Sequence, residues 1–512
     1  MKKFLFVVLS TLALIGCDDD SSTSSDNDVI SPDPVEVNAL VSSPTNAEDA
    51  GLEEYYGHAI NPVPITPHEV PDHPFMSKIK SGLHFDHYNS DVSNNLGPLG
   101  EGELDIKTWQ ISPIVSACPT VMFSEEGDLI TVCIEINQTR LFLLDQYTLE
   151  TKAEFLLPKK QNPGGGDSSG GGYVRMDEQN RVLVNNTDDT IRYIALEKDE
   201  DGEYEFVEEK VIDISAKLKN AGLTGYLNDA NPDHEGRIWF TLGTGEVGYI
   251  GPNEYVLKYH DFGERLQNQT AMDAEGLYVV TSGTTVNPDT GWISKLVTDQ
   301  YGNLVIDWTS SYDNSGDGVL AKVSGTTPTL FGLNDNYVGI ADNARNQLHV
   351  NVYDRADGRL VCSEPVFPAG KGGAEDSMIG YQNSLVIANT GGYDSDNPLM
   401  THNGLAKITV NDDGLSCTKD WENLEFKHTA VPALSTKTGM IYTYPIHAGK
   451  IDNTTFSYYL AATDWFTGET QFQRYIGSGP QFDDLMQSVT LADDGAFIVT
   501  TKNGIVVARE KQ

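Results

Sequence analysis

Eight times along this chain a polar residue followed by Gly or Asn opens a short run of alternating apolar residues. The copies are Glu126-Gly127-Asp128-Leu129, Gln179-Asn180-Arg181-Val182, Glu235-Gly236-Arg237-Ile238, Glu275-Gly276-Leu277-Tyr278, Asp335-Asn336-Tyr337-Val338, Gln382-Asn383-Ser384-Leu385, Thr438-Gly439-Met440-Ile441 and Asp494-Gly495-Ala496-Phe497. Their spacing averages about 53 residues, which suits four short strands and their turns. A further apolar strand follows each turn in register, at 141–145, 193–197, 247–251, 293–297, 350–354, 406–410, 459–464 and 505–510. No long segment sustains apolar residues at i, i+3, i+4 and i+7, so helices are expected to contribute little. One four-stranded unit buries too little alone, and units of this size cover their faces by stacking around an axis. The expected fold class is therefore all-β, an eight-bladed β-propeller over residues 103–512.

The eighth copy ends at the C-terminus before its outermost strand can form. Residues 103–111 alternate like a strand just ahead of the first unit, and pairing them with 504–509 closes the ring, removes two open sheet edges and carries Trp109 to the outer rim. Three copies of the second landmark run on into a tight turn. They are Ala462-Thr463-Asp464-Trp465-Phe466-Thr467-Gly468 followed by Phe472, Val352-Tyr353-Asp354-Arg355-Ala356-Asp357-Gly358, and Leu143-Leu144-Asp145-Gln146-Tyr147-Thr148. These turns resemble the Ala-x-Asp-x-x-Thr-Gly-x-x-x-Trp docking repeat of quinoprotein-dehydrogenase-like propellers. The resemblance implies that fold over residues 103–510, with the small residue and the aromatic locking neighbouring blades, and it implies no substrate.

Ahead of the ring, Lys2 and Lys3 precede an apolar run from Phe4 to Ile15 and then Gly16-Cys17. A positive end and about a dozen apolar residues make a signal peptide, too short to span a bilayer. The Leu14-Ile15-Gly16-Cys17 ending resembles the lipobox of bacterial lipoproteins. That resemblance implies acylation of Cys17, with palmitate or a similar chain, and a lipid-anchored protein of the bacterial cell envelope whose propeller lies in the periplasm or at the cell surface. Residues 18–50 are Ser, Thr, Asp, Asn and Pro with almost no aromatic residues, and are expected to form a disordered tether. Residues 51–102 form an N-terminal arm containing Pro62, Pro64, Pro67, Pro71 and Pro74. With 34 basic against 75 acidic side chains, the formal charge of −41 excludes nucleic acid as a partner and leaves an envelope protein or a small-molecule ligand at the propeller face. An exported chain can form disulfides. Cys118 and Cys133 flank a predicted strand turn and make the better pair, whereas Cys362 and Cys417, one repeat apart, are either a bridge between blades or two buried thiols.

In a propeller the loop entering each innermost strand meets the central channel. Carboxylates and amides gather at these entries, and Asn228, Asp229, Asn268, Glu375 and Asp376 form a candidate ligand set for Ca²⁺, which takes six to eight oxygens. The alternative is that they line a water-filled hole. Long loops at 281–291, 389–403 and 444–457 share that face, with His402, His428 and His447 near it. His428, His447 and Glu375 are the candidates for proton transfer. Five of the 11 histidines fall between His58 and His87. Among them His84, Asp86 and His87 could bind Zn²⁺ or iron, or else the arm lies across the ring pinned by histidine hydrogen bonds. The Gly-rich stretch 163–172 lacks a following Gly-Lys-Ser/Thr and is read as a flexible loop at the channel mouth.

Three functions follow from these features. The first is a membrane-tethered binding or scaffold module. The second is an oxidoreductase of the quinoprotein-like class, although the chain has neither an adjacent Cys pair nor a Cys-x-x-Cys-His haem site and only three good docking repeats, which weakens pyrroloquinoline quinone as a cofactor. The third is a calcium-dependent lactonase-like hydrolase, a class built on six blades rather than eight.

Overall fold

The computed structural model describes residues 38–42, 47, 51–80, 82–112, 117–135, 137–160, 172–186, 188–253, 257–266, 268–316, 318, 324–448 and 456–511. The expected signal peptide with Cys17, most of the tether and nearly all of the Gly-rich stretch lie outside the described residues.

Eight antiparallel units follow one another in chain order, at 117–156, 175–213, 227–261, 271–313, 329–365, 379–428, 433–478 and 489–510, and we number these blades 1 to 8. Within each, successive strands lie side by side, and Pro445–Ala448 joins the sheets of blades 6 and 7. The middle strands of blade 1, Leu129–Ile134 and Thr139–Leu144, are buried along almost their whole length because a blade is covered on both faces by its neighbours. Outermost strands such as Tyr204–Asp213 are partly exposed. The one α-helix among the described residues is Ser215–Ala221, too short to cross a membrane.

The repeated Gly or Asn has a conformational cause. Gly127, Asn180, Gly236, Gly439 and Gly495 all have positive φ, between 59° and 88°, in the turn joining the first two strands of a blade. An aspartate just ahead of several of these turns holds them. Asp177 accepts from the backbone N–H of Gln179 and Arg181, and Asp233 from those of Glu235 and Arg237.

Leu104–Ser112 pairs with Gly504–Glu510, with Trp109 opposite Ile505, and closes the ring. Two further strands come from the N-terminal region. Asn38–Ser42 pairs with the outer side of Leu104–Ser112, and Tyr55–Gly57 with Thr470–Ser478, so blades 7 and 8 each gain a fifth strand. The stretch expected to be tether thus contains a strand, because Ala39-Leu40-Val41 meets an open row of edge hydrogen-bonding groups.

Tryptophans lock blade to blade. Trp109 on the strand that closes blade 8, and Trp308 and Trp421 on the outermost strands of blades 4 and 6, donate Nε1–H to Thr151 Oγ1 (3.2 Å), Arg355 O (3.0 Å) and Trp465 O (3.1 Å) of the next blade. Gly358 and Gly468 lie under two of these rings with φ of 71° and 72°, and a Cβ on either would come within 2.5 Å of the indole. The aromatic that meets each of these turns therefore comes from the preceding blade. Phe472, placed in the docking pattern by sequence, is buried instead in the core between blades 7 and 8. Cys118 and Cys133 are bonded within blade 1, and Cys362 and Cys417 join the outermost strands of blades 5 and 6.

Candidate functional site: the plugged channel

The turns between first and second strands define one face of the ring, here called lower, and the N-terminal arm lies across it. Val63 and Ile65 bond the turn of blade 7, and Ser77 N–H donates to Met176 O of blade 2 and Gly82 N–H to Val121 O of blade 1. From residue 84 the arm coils into the channel, with positive φ at Phe85 (66°), Asn89 (54°) and Asp91 (53°). His87, Tyr88, Ser90 and Asp91 offer their carbonyls in turn to N–H groups of Met272, Leu330, Gly380 and Leu434 on the innermost strands of blades 4 to 7. Val92–Ser93 then pairs with blade 7 and the Asn95 amide donates to Leu491 O of blade 8. Asn89 Nδ2 bridges Thr270 O (3.2 Å) and Pro328 O (3.0 Å). The lower mouth is stoppered by the chain itself, and a cavity of about 140 Å³ remains between the arm and blade 2.

Three of the hub residues expected to ligate Ca²⁺, Asn228, Asp229 and Asn268, are engaged with one another or with neighbouring blades. Asp229 forms a bidentate ion pair with Arg175 of blade 2 and accepts from Thr270 N–H (2.8 Å) and Oγ1–H (2.7 Å) of blade 4. Asn268 Nδ2 donates to Ser324 O (2.6 Å) and Thr326 O (2.7 Å), and Asn228 Nδ2 to Asn268 O (3.3 Å). These contacts stitch blades 2 to 5 together. Among the described residues no group of three or more His, Cys, Asp or Glu is placed to hold a metal ion. The Asp229 carboxylate and the Asn228 and Asn268 Nδ2 groups are spent on those contacts between blades, in which Glu375 and Asp376 take no part, and His84, Asp86 and His87 do not form a ligand set. Asp86 instead binds the Ser90 hydroxyl (2.7 Å) and the Tyr88 N–H (3.0 Å) within the arm.

His84, Asp91 and Ser377 bring an imidazole, a carboxylate and a hydroxyl together. Ser377 Oγ–H donates to Asp91 Oδ2 (2.5 Å), and both Ser377 Oγ (2.9 Å) and Asp91 Oδ1 (3.2 Å) lie against the same nitrogen, His84 Nδ1. A nucleophilic triad needs serine and acid on opposite ring nitrogens, so this cluster ties the arm to blade 6. Burial raises the Asp91 pKa, with His84 and Ser377 opposing.

Beyond the arm, towards the upper mouth, blades 6 to 8 contribute a second set of buried groups. Asp376 and Asp484 are inaccessible to solvent. Among the described residues both Asp376 oxygens lack a hydrogen-bond partner, and the Thr429 hydroxyl is the side chain that opposes the rise in the Asp484 pKa. Burial holds the Asp376 pKa well above the ordinary carboxylate range, and the charges of Asp484, Glu375 and Asp91 push it further. Asp484 is raised by burial and by Asp483, which itself accepts from Tyr393 O–H (3.0 Å) and lies 3.8 Å from Lys502. His428 is buried in the same region with Nδ1 unpartnered, and burial, aided by His447, lowers its pKa to about 4. His447 pairs through Nε2 with Gln473 Oε1 (2.7 Å) and packs on Tyr459. His402 is half-buried and bonded to Lys371 O (2.7 Å). The structure thus gathers Asp376, Asp484 and His428 near one end of the channel. Asp483-Asp484 stands at a channel entry in the repeat, a signal that could have placed it in the candidate set. Arg175, inside a strand, carries no such signal.

No protein-family model matches this chain, and no curated protein matches it. Among solved structures it is similar to BamB from Moraxella catarrhalis, at 12% identity over 84% of this chain and 97% of that one, with a TM-score of 0.43. The computationally designed Ika8 protein gives 12% identity, 77% and 96% coverage and a TM-score of 0.42. A virginiamycin B lyase from Staphylococcus aureus gives 12%, 72% and 99%, and 0.36. These are likenesses of fold.

Proposed function

We propose that the protein is a binding or scaffold module, held on the bacterial envelope through lipidated Cys17, that engages its partner through the upper end of the propeller channel. The observation that carries this reading is the asymmetry of the channel. The lower mouth is filled by the arm, whose backbone carbonyls are matched to the ring, while the upper part keeps Asp376 and Asp484 buried with no basic side chain among the described residues bonded to either. Unpaired carboxyls are costly to bury, and they suit a partner that presents an ammonium or guanidinium group. The acidic surface favours the same kind of partner.

The test is site-specific photocrosslinking of the full chain in a bacterial envelope. A photoreactive residue at Met400, exposed on the long upper loop, should give a discrete protein adduct that weakens in Asp376→Asn, and one at Leu333, exposed on a lower turn, should not. Adducts from neither position, or equally from both, would defeat the reading. A quinone absorbance band in the purified chain would favour the oxidoreductase in its place.

A further inference from the structure

The arm meets the ring through three imidazoles. His73 and His87 come from the arm and His234 from the lower turn of blade 3, with ring centroids 4.1 Å (73 to 234), 5.1 Å (73 to 87) and 5.9 Å (87 to 234) apart. His73 and His87 are more than nine-tenths buried, and among the described residues His73 Nε2, His87 Nε2 and His234 Nδ1 have no hydrogen-bond partner. His73 Nδ1 accepts the Phe75 N–H (3.2 Å), which fixes that ring as an acceptor on one side. Three rings in contact cannot all take protons without placing like charges side by side in a buried space.

We infer that the His73–His87–His234 cluster is an acid-sensitive latch, which seats the arm in the lower mouth of the channel while its imidazoles are neutral and loosens it when they are protonated.

The charged groups around the cluster do not relieve this conflict. On the arm, Asp86 favours a proton on His87 and Lys80 opposes it. On the ring, Asp273 of blade 4 and Asp233 of blade 3 favour protonation, whereas Arg175 of blade 2 opposes it at His73. The three acids are already engaged. Asp86 binds Ser90, Asp233 binds Arg237 and Trp239, and Asp273 binds Arg355 and Tyr278. Burial, reinforced by the neighbouring imidazoles, accordingly lowers His87 to about 4 and His73 to about 2, and burial lowers His234 as well.

The sign follows from which state binds more protons. A released arm lets these histidines titrate near their ordinary 6.5, so the seated arm holds fewer protons and seating weakens as pH falls below that value. Between pH 7.5 and 5.0 a histidine displaced from 6.5 to 4 or lower reduces the seating constant about 30-fold, and two such residues about 1000-fold.

Hydrogen–deuterium exchange of the full chain at pH 7.5 and 5.0, corrected for intrinsic rates, reads the seating directly. Peptides carrying Gly82, Leu330 and Gly380 N–H, which bond across the junction, should lose at least 100-fold in protection at pH 5.0 while those from 129–144 inside blade 1 hold theirs. In His73→Gln/His87→Gln the ratio between the two pH values should fall to near one. Where that variant leaves the arm unprotected at both pH values, His234→Ala is read instead, and its pH ratio should shrink at least threefold. Equal protection of the wild-type arm at both pH values, or a loss undiminished in the variants, overturns the latch.

Discussion

At the scale of single residues, the hub contains two kinds of buried charge with opposite consequences. Asp229 is neutralised by Arg175 and by two bonds from Thr270, whereas Asp376 meets other acids. A carboxyl whose pKa is raised in the folded chain contributes stability that is fully present below its ordinary 3.8 and is lost as pH rises through the folded value. Asp376→Asn is therefore expected to raise stability at pH 7.5, where the buried carboxyl is most costly. The gain should shrink towards pH 4, as checked by urea unfolding at both pH values. A loss of stability at pH 7.5 would mean that the carboxylate has a favourable partner. The position of Asp376 was legible because the repeat fixes where the chain enters the channel. The pairing of Asp229 was not, because its partner arrives from another blade and no local pattern records it.

At the scale of elements, closure by Leu104–Ser112 was legible from the missing strand of the eighth copy, since a blade one strand short leaves an inner strand as an unprotected edge. Trp109 is completely buried there, edge-on to Phe142 at 4.7 Å, with its Nε1–H bonded into blade 1. It therefore belongs at once to the strand that closes the ring and to the contact between the last blade and the first. Trp109→Ala removes the indole and leaves a cavity at that junction, at a cost of about 3–5 kcal/mol. Guanidinium unfolding should show a lower midpoint, and an unchanged midpoint would mean that closure does not depend on this lock. Asn38–Ser42 and Tyr55–Gly57 were not legible, because three to five residues on an outer edge carry neither a period nor a buried face. The plug was half legible. Proline and histidine content pointed to an arm lying over the ring, but the row of bonds that seats it on blades 4 to 7 is made by backbone carbonyls, which every residue type supplies.

For the whole molecule, the formal charge of −41 acts on the folded ring more than on the unfolded chain, because folding brings the charges closer together. Many of the cations are already committed to neighbouring acids, Lys152 to Asp128 and Asp145 and Arg192 to Asp188 and Glu208 among them, so most of the acidic excess is left to repel itself. Between 0.1 M and 1 M NaCl the screening length falls from about 10 Å to about 3 Å, shorter than most separations between surface charges but too long to dissolve contacts such as Arg175 with Asp229 in the interior. Screening should therefore remove more repulsion than attraction. The unfolding midpoint is expected to rise by about 1–3 °C over that range, less than a small domain would shift for the same free energy because the unfolding entropy grows with chain length. Calorimetry at fixed pH checks the direction. A midpoint that falls with salt would show that surface ion pairs, and not net repulsion, dominate the electrostatics of the ring.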